Sequence, residues 1–340
     1  MTVNTGDLLV TCHRPKALFA LRPVHLPLLF PDTVQDRIAQ YADIDPALAV
    51  ERWDDPRIAA LLPELEVLIT GWGCPPLDDA FLHSAPRLRA VLHAAGTVKA
   101  HLTKTVWDSG IEVSSAAQAN AIPVAEYTVG AILLAGKGVF GLRERYRSDK
   151  TFTLAEVIPD VGNYGRRVGI VGASRIGRQV ISHLLRHDFT VRLYDPYATS
   201  TEVPRLELDE LLATSDIVSL HAPATPETRH LLDRDRLALL RDGAVLINTA
   251  QGSLIDTDAL IDELKIGRIS AILDVTTPEP LPSHSVLFSL PNVFLTPHVA
   301  GSQGNELARM GAAIAGELER LVTGSPLLHR IHYQDLDTAA

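Results

Sequence analysis

The chain alternates short apolar runs with amphipathic stretches, and the pattern is clearest from Val168 to Asp195. Val168, Ile170 and Val171 form an apolar run that stops at Gly172. Ile176, Val180, Ile181, Leu184 and Leu185 then recur at the spacing of one helix face, and Val191, Leu193 and Tyr194 begin a second run ending at Asp195. The alternation continues through predicted strands at 216–221, 244–249, 269–275 and 293–296, with helical patterns at 208–214, 234–240 and 256–265 between them. Six near-continuous apolar strands joined by helices predict a doubly wound parallel sheet covered on both faces, an α/β fold.

The first part of the chain repeats this rhythm in shorter form. Strands are expected at 8–11, 67–70, 88–92 and 111–113, which makes a second α/β unit. A long apolar-faced helix is predicted from near Pro123 towards Arg147, then a connecting loop over 149–164. The last helical pattern runs from Gly304 to Thr323. The tail beyond it is too short for a domain and is expected to return to the first unit. The predicted division is therefore 1–119, 120–299 and a returning segment at 300–340.

Composition narrows the class. Hydrophobic residues make up 46% of the 340 and charged residues 21%, as in a globular protein with a sizeable core. A net charge of −10 speaks against a nucleic-acid surface, which needs clustered Lys and Arg. Cys12 and Cys74 have no metal-ligand or redox spacing, and they suit a reducing cytoplasm. The start MTVNTGDLLV lacks the basic and apolar regions of a leader. The longest apolar stretch, near Val129–Ala135, is too short to cross a bilayer, so neither a membrane nor a nucleic acid is an expected partner.

The segment from Val168 to Asp195 also carries candidate chemistry. Gly172 permits a tight turn after the strand, and Gly177 lets the helix pack close to it. A helix N-terminus there offers free N–H groups and a positive dipole end to a pyrophosphate. Asp195 lies 23 residues after Gly172, the spacing of a carboxylate that binds adenosine ribose hydroxyls. Ser174 stands where a middle glycine is usual, and its small side chain still lets the backbone approach a phosphate.

Ligands of an open parallel sheet bind beyond the carboxyl ends of its strands. Three polar segments fall there: NTAQG at 248–252, LDVTTPEP at 273–280 and TPHVAGS at 296–302. With the glycine fingerprint and the run HAPATPETRHLL at 221–232, they resemble the D-isomer-specific 2-hydroxyacid dehydrogenase family, which includes phosphoglycerate dehydrogenases and glyoxylate/hydroxypyruvate reductases. The resemblance implies a Rossmann NAD-binding domain at 120–299, and a flavodoxin-like substrate domain formed by 1–119 with 300–340. It implies NAD as cofactor, a small 2-oxo or 2-hydroxy acid of D configuration as substrate, and a homodimer formed through the long helix.

Site residues follow from the same resemblance. His298 would be the acid/base group; an imidazole, with an ordinary pKa of ~6.5, can both give and take a proton. Glu279 would hydrogen-bond its other ring nitrogen, and Asp274 would lie near the nicotinamide carboxamide. Gly172, Ser174, Arg175, Ile176, Gly177, Asp195, His221, Pro223, Thr249, Ala250, Asp274 and Ala300 form the expected cofactor side. Gly96, Thr97 and Val98 match the loop whose N–H groups hold the substrate carboxylate, and Asn120 and Val124–Glu126 match the segment crossing between domains. Plainer readings stand beside these. His298 alone is a loop histidine, Glu279 an exposed turn residue, His221 equally a wall residue, and Asp256 the N-cap of the helix that follows it.

One position departs from the family pattern. An arginine is usual in the NTAxG turn, and this chain has Gln251. An arginine there forks onto the substrate carboxylate and carbonyl oxygen, whereas an amide offers N–H donors without charge. The departure is compatible with an engineered Arg-to-Gln change, with a substrate for which a neutral donor suffices, or with a catalytically weakened NAD(H) sensor or corepressor-like partner. Lys99, beside the carboxylate loop, is a candidate source of the missing charge. Asp195 would repel a 2′-phosphate, so NAD is expected over NADP. The acidic Glu279 disfavours a formate dehydrogenase, which carries an amide there.

Overall fold

The computed structural model describes residues 13–99, 101–151 and 161–336. The predicted strand at 8–11 and Cys12 lie outside them. The described residues separate into two compact units, one made of residues up to Asn120 with Gly304–Leu336, the other of Ala121–Gln303.

The first unit is a five-stranded parallel sheet. Its strands are β1 (Ala17–Ala20), β2 (Ala49–Val50), β3 (Val67–Thr70), β4 (Ala90–His93) and β5 (Glu112–Ser115), in the order β2-β1-β3-β4-β5. That 2-1-3-4-5 order is the flavodoxin-like one. β1 is a strand the sequence pattern did not distinguish, because ALFA between Pro15 and Pro23 is too short a run to show a period. The tail returns here. Met310, Ile314 and Leu318 of the helix Leu307–Thr323 are buried with Phe19, Leu29 and Phe30. Glu317 of that helix is buried and satisfied: Ser114 Oγ donates to it at 2.8 Å, and the N–H groups of Leu328 and His329 donate at 3.1 and 3.2 Å.

The second unit is a six-stranded parallel sheet of β6 (Arg167–Val171), β7 (Thr190–Tyr194), β8 (Ile217–Leu220), β9 (Val245–Asn248), β10 (Ser270–Leu273) and β11 (Val293–Leu295). The order is β11-β10-β9-β8-β6-β7, and an isolated parallel bridge from Leu193 to Arg205 extends it beyond β7. From β6 the chain winds outward through β7 and then returns to the other side at β8, which puts a topological switch point between β6 and β8. Tyr194, Val171, Leu220, Asn248, Leu273 and Leu295 stand in one row across the sheet. The next residue along each strand is Asp195, Gly172, His221, Thr249, Asp274 or Thr296.

The long helix differs from expectation at both ends. It starts at Ala117, where Ser115 Oγ accepts from the Ala117 N–H at 3.3 Å, and Pro123 lies inside it. It stops at Gly136, and a second helix, Val139–Asp149, begins after Gly138 in the left-handed region at φ 64°. The stop lies in the GKG triplet: Gly138 takes the left-handed turn that ends helices, at no steric cost. The helix Ala117–Gly136 is long and apolar enough by composition to cross a membrane, unlike the shorter apolar run at 129–135, but 61% of that stretch is buried. Ala125, Val129, Ile132 and Ala135 pack with Val168 and Ile170 of β6, as in a core helix.

Candidate active site

The dinucleotide turn is built from backbone necessity. Gly172 sits at φ 101°, and a Cβ there would come within 2.6 Å of the Ala222 nitrogen, so the turns after β6 and β8 touch. A Cβ on Gly177 would run into the carbonyl oxygen of Gly172. Ser174 caps the helix Arg175–Leu184 by accepting from the Gly177 N–H at 3.2 Å. The N–H groups of Arg175 and Ile176 fall in the first turn, where no intrahelical acceptor exists. Asp195 Oδ2 accepts from the Ala173 N–H at 2.6 Å, and Oδ1 accepts from Tyr197 and Ala198, both at 2.8 Å. Its carboxylate therefore ties the ends of β6 and β7 together, and Oδ2 keeps acceptor capacity for a hydroxyl.

His221 is buried beside this turn. Its Nε2 lies 2.9 Å from Ser219 Oγ, its Nδ1 has no partner among the described residues, and burial pushes its pKa down to about 3. The ring is therefore neutral in the folded protein. The carbonyl of Pro223 accepts from the Thr228 hydroxyl at 2.6 Å, which closes the loop behind it.

Beyond β9, Asn248 holds the turn that carries Gln251. Its Oδ1 accepts from the Ala250 N–H at 3.0 Å, and its Nδ2 donates to the Gln251 carbonyl at 2.9 Å. Asn248 and Thr249 are buried, whereas Gln251 is exposed and its side chain makes no capping bond. Gly252 packs directly on the backbone after β10, since a Cβ would meet the Thr276 carbonyl and come within 2.6 Å of the Thr277 nitrogen.

Beyond β10 and β11 lie Glu279 and His298. His298 Nδ1 is 2.6 Å from Glu279 Oε1, with both side chains partly exposed. A carboxylate has no proton to give, so Nδ1 carries one and Nε2 is left for proton exchange. His298 sits at φ 55°, a left-handed conformation uncommon outside glycine. Asp274 enforces it. The His298 N–H donates to the Asp274 carbonyl at 3.0 Å; Asp274 Oδ1 accepts from Thr296 Oγ1 at 2.6 Å and Val299 N at 2.8 Å, and Oδ2 from Ala300 N at 2.9 Å. Asp256 caps its helix by accepting from Ala259 N at 3.1 Å.

Gly96, Thr97 and Val98 belong to the other unit, in the loop after β4. His93, at the end of that strand, is buried with Nδ1 2.8 Å from Thr70 Oγ1. Burial holds its pKa down to about 3. Sequence reading missed Asn248, Thr296 and His93. The first stood in plain view as the opening residue of NTAQG, while the other two show their part only through their bonds.

A family model described as the D-isomer specific 2-hydroxyacid dehydrogenase NAD binding domain matches residues 129–300, half of the chain. The chain belongs to this family. It is 34% identical over 260 residues to a glyoxylate reductase from Thermofilum pendens, covering 73% of this chain and 76% of that one. It is 31% identical over 274 residues to a D-3-phosphoglycerate dehydrogenase from Methanocaldococcus jannaschii, covering 77% of this chain and 51% of that protein. The chain spans about half the length of the phosphoglycerate dehydrogenases it matches. Among solved structures, the TT0316 protein of Thermus thermophilus superposes with a TM-score of 0.76 at 27% identity, covering 93% of this chain and 100% of that one.

The residues present fit the NAD that this family's domain binds. The Gly172 cradle admits no Cβ, the Arg175 and Ile176 N–H groups stand at a helix N-terminus suited to a pyrophosphate, and Asp195 ends the second strand.

Proposed function

We propose that this chain is an NAD-dependent dehydrogenase that interconverts a small 2-oxo acid and the D-2-hydroxy acid. The observation that carries the reading is the 2.6 Å bond from His298 Nδ1 to Glu279 Oε1, which fixes the tautomer of an imidazole set just beyond the strand row. When bound, the nicotinamide supplies or accepts the hydride. In the reducing direction His298 Nε2 gives its proton to the carbonyl oxygen of the substrate; in the oxidising direction it takes the hydroxyl proton. Glu279 keeps the ring oriented and balances its charge when both nitrogens are protonated. Asp274 binds near the carboxamide while its remaining oxygen capacity holds the His298 loop. The N–H groups of Gly96, Thr97 and Val98 take the substrate carboxylate, and Gln251 supplies neutral N–H donors where the family has a guanidinium. On the cofactor side Pro223, Thr249, Ala250 and Ala300 line the path with backbone, and His221 forms its wall.

Asp195 supports NAD over NADP, because its carboxylate opposes a 2′-phosphate. Dimerisation through the helices between Ala117 and Asp149 belongs to the same reading, and sedimentation checks it. The deciding experiment follows NADH consumption with a panel of 2-oxo acids, alongside direct NADH binding. Consumption with at least one acid supports the dehydrogenase. The neutral Gln251 favours one second reading, an NAD(H) sensor, which binds NADH and consumes none with any acid.

A further inference from the structure

The helix Ala117–Gly136 carries two adjacent hydroxyls, and each ends on a different loop of the candidate site. Tyr127 Oη lies 2.7 Å from Thr296 Oγ1. Thr296 donates its single hydroxyl proton to Asp274 Oδ1 at 2.6 Å, so Tyr127 is the donor in the first bond. One residue further, Thr128 donates to the Val124 carbonyl at 2.8 Å and lies 2.8 Å from Thr249 Oγ1, so Thr249 donates to Thr128. Thr128 and Thr249 are buried. Burial raises the Tyr127 hydroxyl above the ordinary phenol value, which keeps it a donor.

The geometry matches the order of the strands. Consecutive helix residues point about 100° apart, and β9 and β11, with β10 between them, are separated by roughly 10 Å. The short threonine takes the loop after β9, and the long phenol takes the loop after β11. Asp274, after the middle strand, receives the end of the Tyr127 chain and grips the N–H groups of Val299 and Ala300, the two residues that follow His298. Thr249 is followed, two residues on, by Gln251.

We infer that Tyr127 and Thr128 are positioning residues, Tyr127 setting the loop that carries His298 and Thr128 setting the turn that carries Gln251. The kinetic side of this inference rests on the proposed dehydrogenase activity; the structural side does not. Both are read from Tyr127→Phe, Thr128→Val and the hydroxyl-retaining Thr128→Ser. Amide hydrogen exchange on the whole protein should show faster exchange over 296–302 in Tyr127→Phe alone, and over 249–252 in Thr128→Val alone. In turnover, Tyr127→Phe should lower kcat about five- to tenfold with KM for the 2-oxo acid nearly unchanged. Thr128→Val should raise that KM by a similar factor with a smaller change in kcat, and Thr128→Ser should restore both. Thr128→Ala serves in place of valine if the latter does not fold. Unchanged exchange in both loops overturns the inference, as do two variants with the same kinetic signature. If the unaltered protein turns over no 2-oxo acid, the dehydrogenase reading fails, and the exchange experiment still decides the role of the two hydroxyls.

Discussion

The backbone N–H of His298 donates to the carbonyl oxygen of Asp274 at 3.0 Å, while the side chain of Asp274 accepts from Val299 and Ala300 on the far side of the same turn. One aspartate thus clasps a left-handed residue from both directions. Asp274→Asn would place an amide N–H against at least one N–H of that turn. Leaving one such buried group unpaired costs about 1–3 kcal/mol. The expected outcome is a lower urea midpoint and a kcat reduced far more than stability alone explains. A variant with native kcat would show that the clasp does not set the imidazole.

Restoring charge at position 251 tests the meaning of the departure. A hydrogen bond to a charged group contributes about 1.5–3 kcal/mol, so Gln251→Arg should raise kcat/KM on a 2-oxo acid about 10- to 100-fold. Steady-state kinetics over several acids give the comparison. An unchanged or lower value on every acid would assign Gln251 to a substrate that prefers a neutral partner.

Acid should weaken both units. His93 in the first and His221 in the second are held neutral by burial, with pKa values lowered to about 3 from an ordinary 6.5. The folded value lies below the unfolded one, so protonation favours the unfolded chain. The stability tied to each neutral ring is complete above about pH 6.5 and declines as pH falls towards 3, at roughly 1 kcal/mol per pH unit for each histidine. Urea midpoints between pH 8 and 5 should fall accordingly. A flat profile would place both rings in water.

Gly252→Ala tests the contact between the turns after β9 and β10. The added carbon meets backbone of Thr276 and Thr277, which has no rotamer by which to yield. A loss of about 1–3 kcal/mol is expected, with a raised KM for the 2-oxo acid as the Gln251 turn shifts. Thermal unfolding and kinetics together check it; native values in both would mean that the turns separate freely.

Much of this was legible in the chain itself. The unit around Val168–Asp195 declares itself because each signal is local: an apolar run, glycines at fixed offsets, an amphipathic helix and a terminal aspartate. β1 was hidden because four apolar residues between prolines carry no period. The helix stop at Gly136 is masked in the sequence because apolar residues resume directly after it at Val139 and Phe140. His298 and Glu279, and their pairing, could be named from the resemblance of their motifs, although the bond joins residues 19 apart with β11 between them. Thr296, Tyr127 and Thr128 act through bonds between distant segments, and no spacing along the sequence encodes those.

The return of the final helix to the first sheet has a consequence for how the chain is made. Residues 121–303 are contiguous, so that unit has its whole core as soon as it is synthesised. The unit that contains β1 must wait, since Met310, Ile314 and Leu318 fill its interior and Glu317 closes over Ser114. Its partners are separated by some of the longest intervals in the chain, and such distant pairings form slowly. Maturation should therefore run from the middle outwards, with β1 completing its packing only after the helix Leu307–Thr323 has been made.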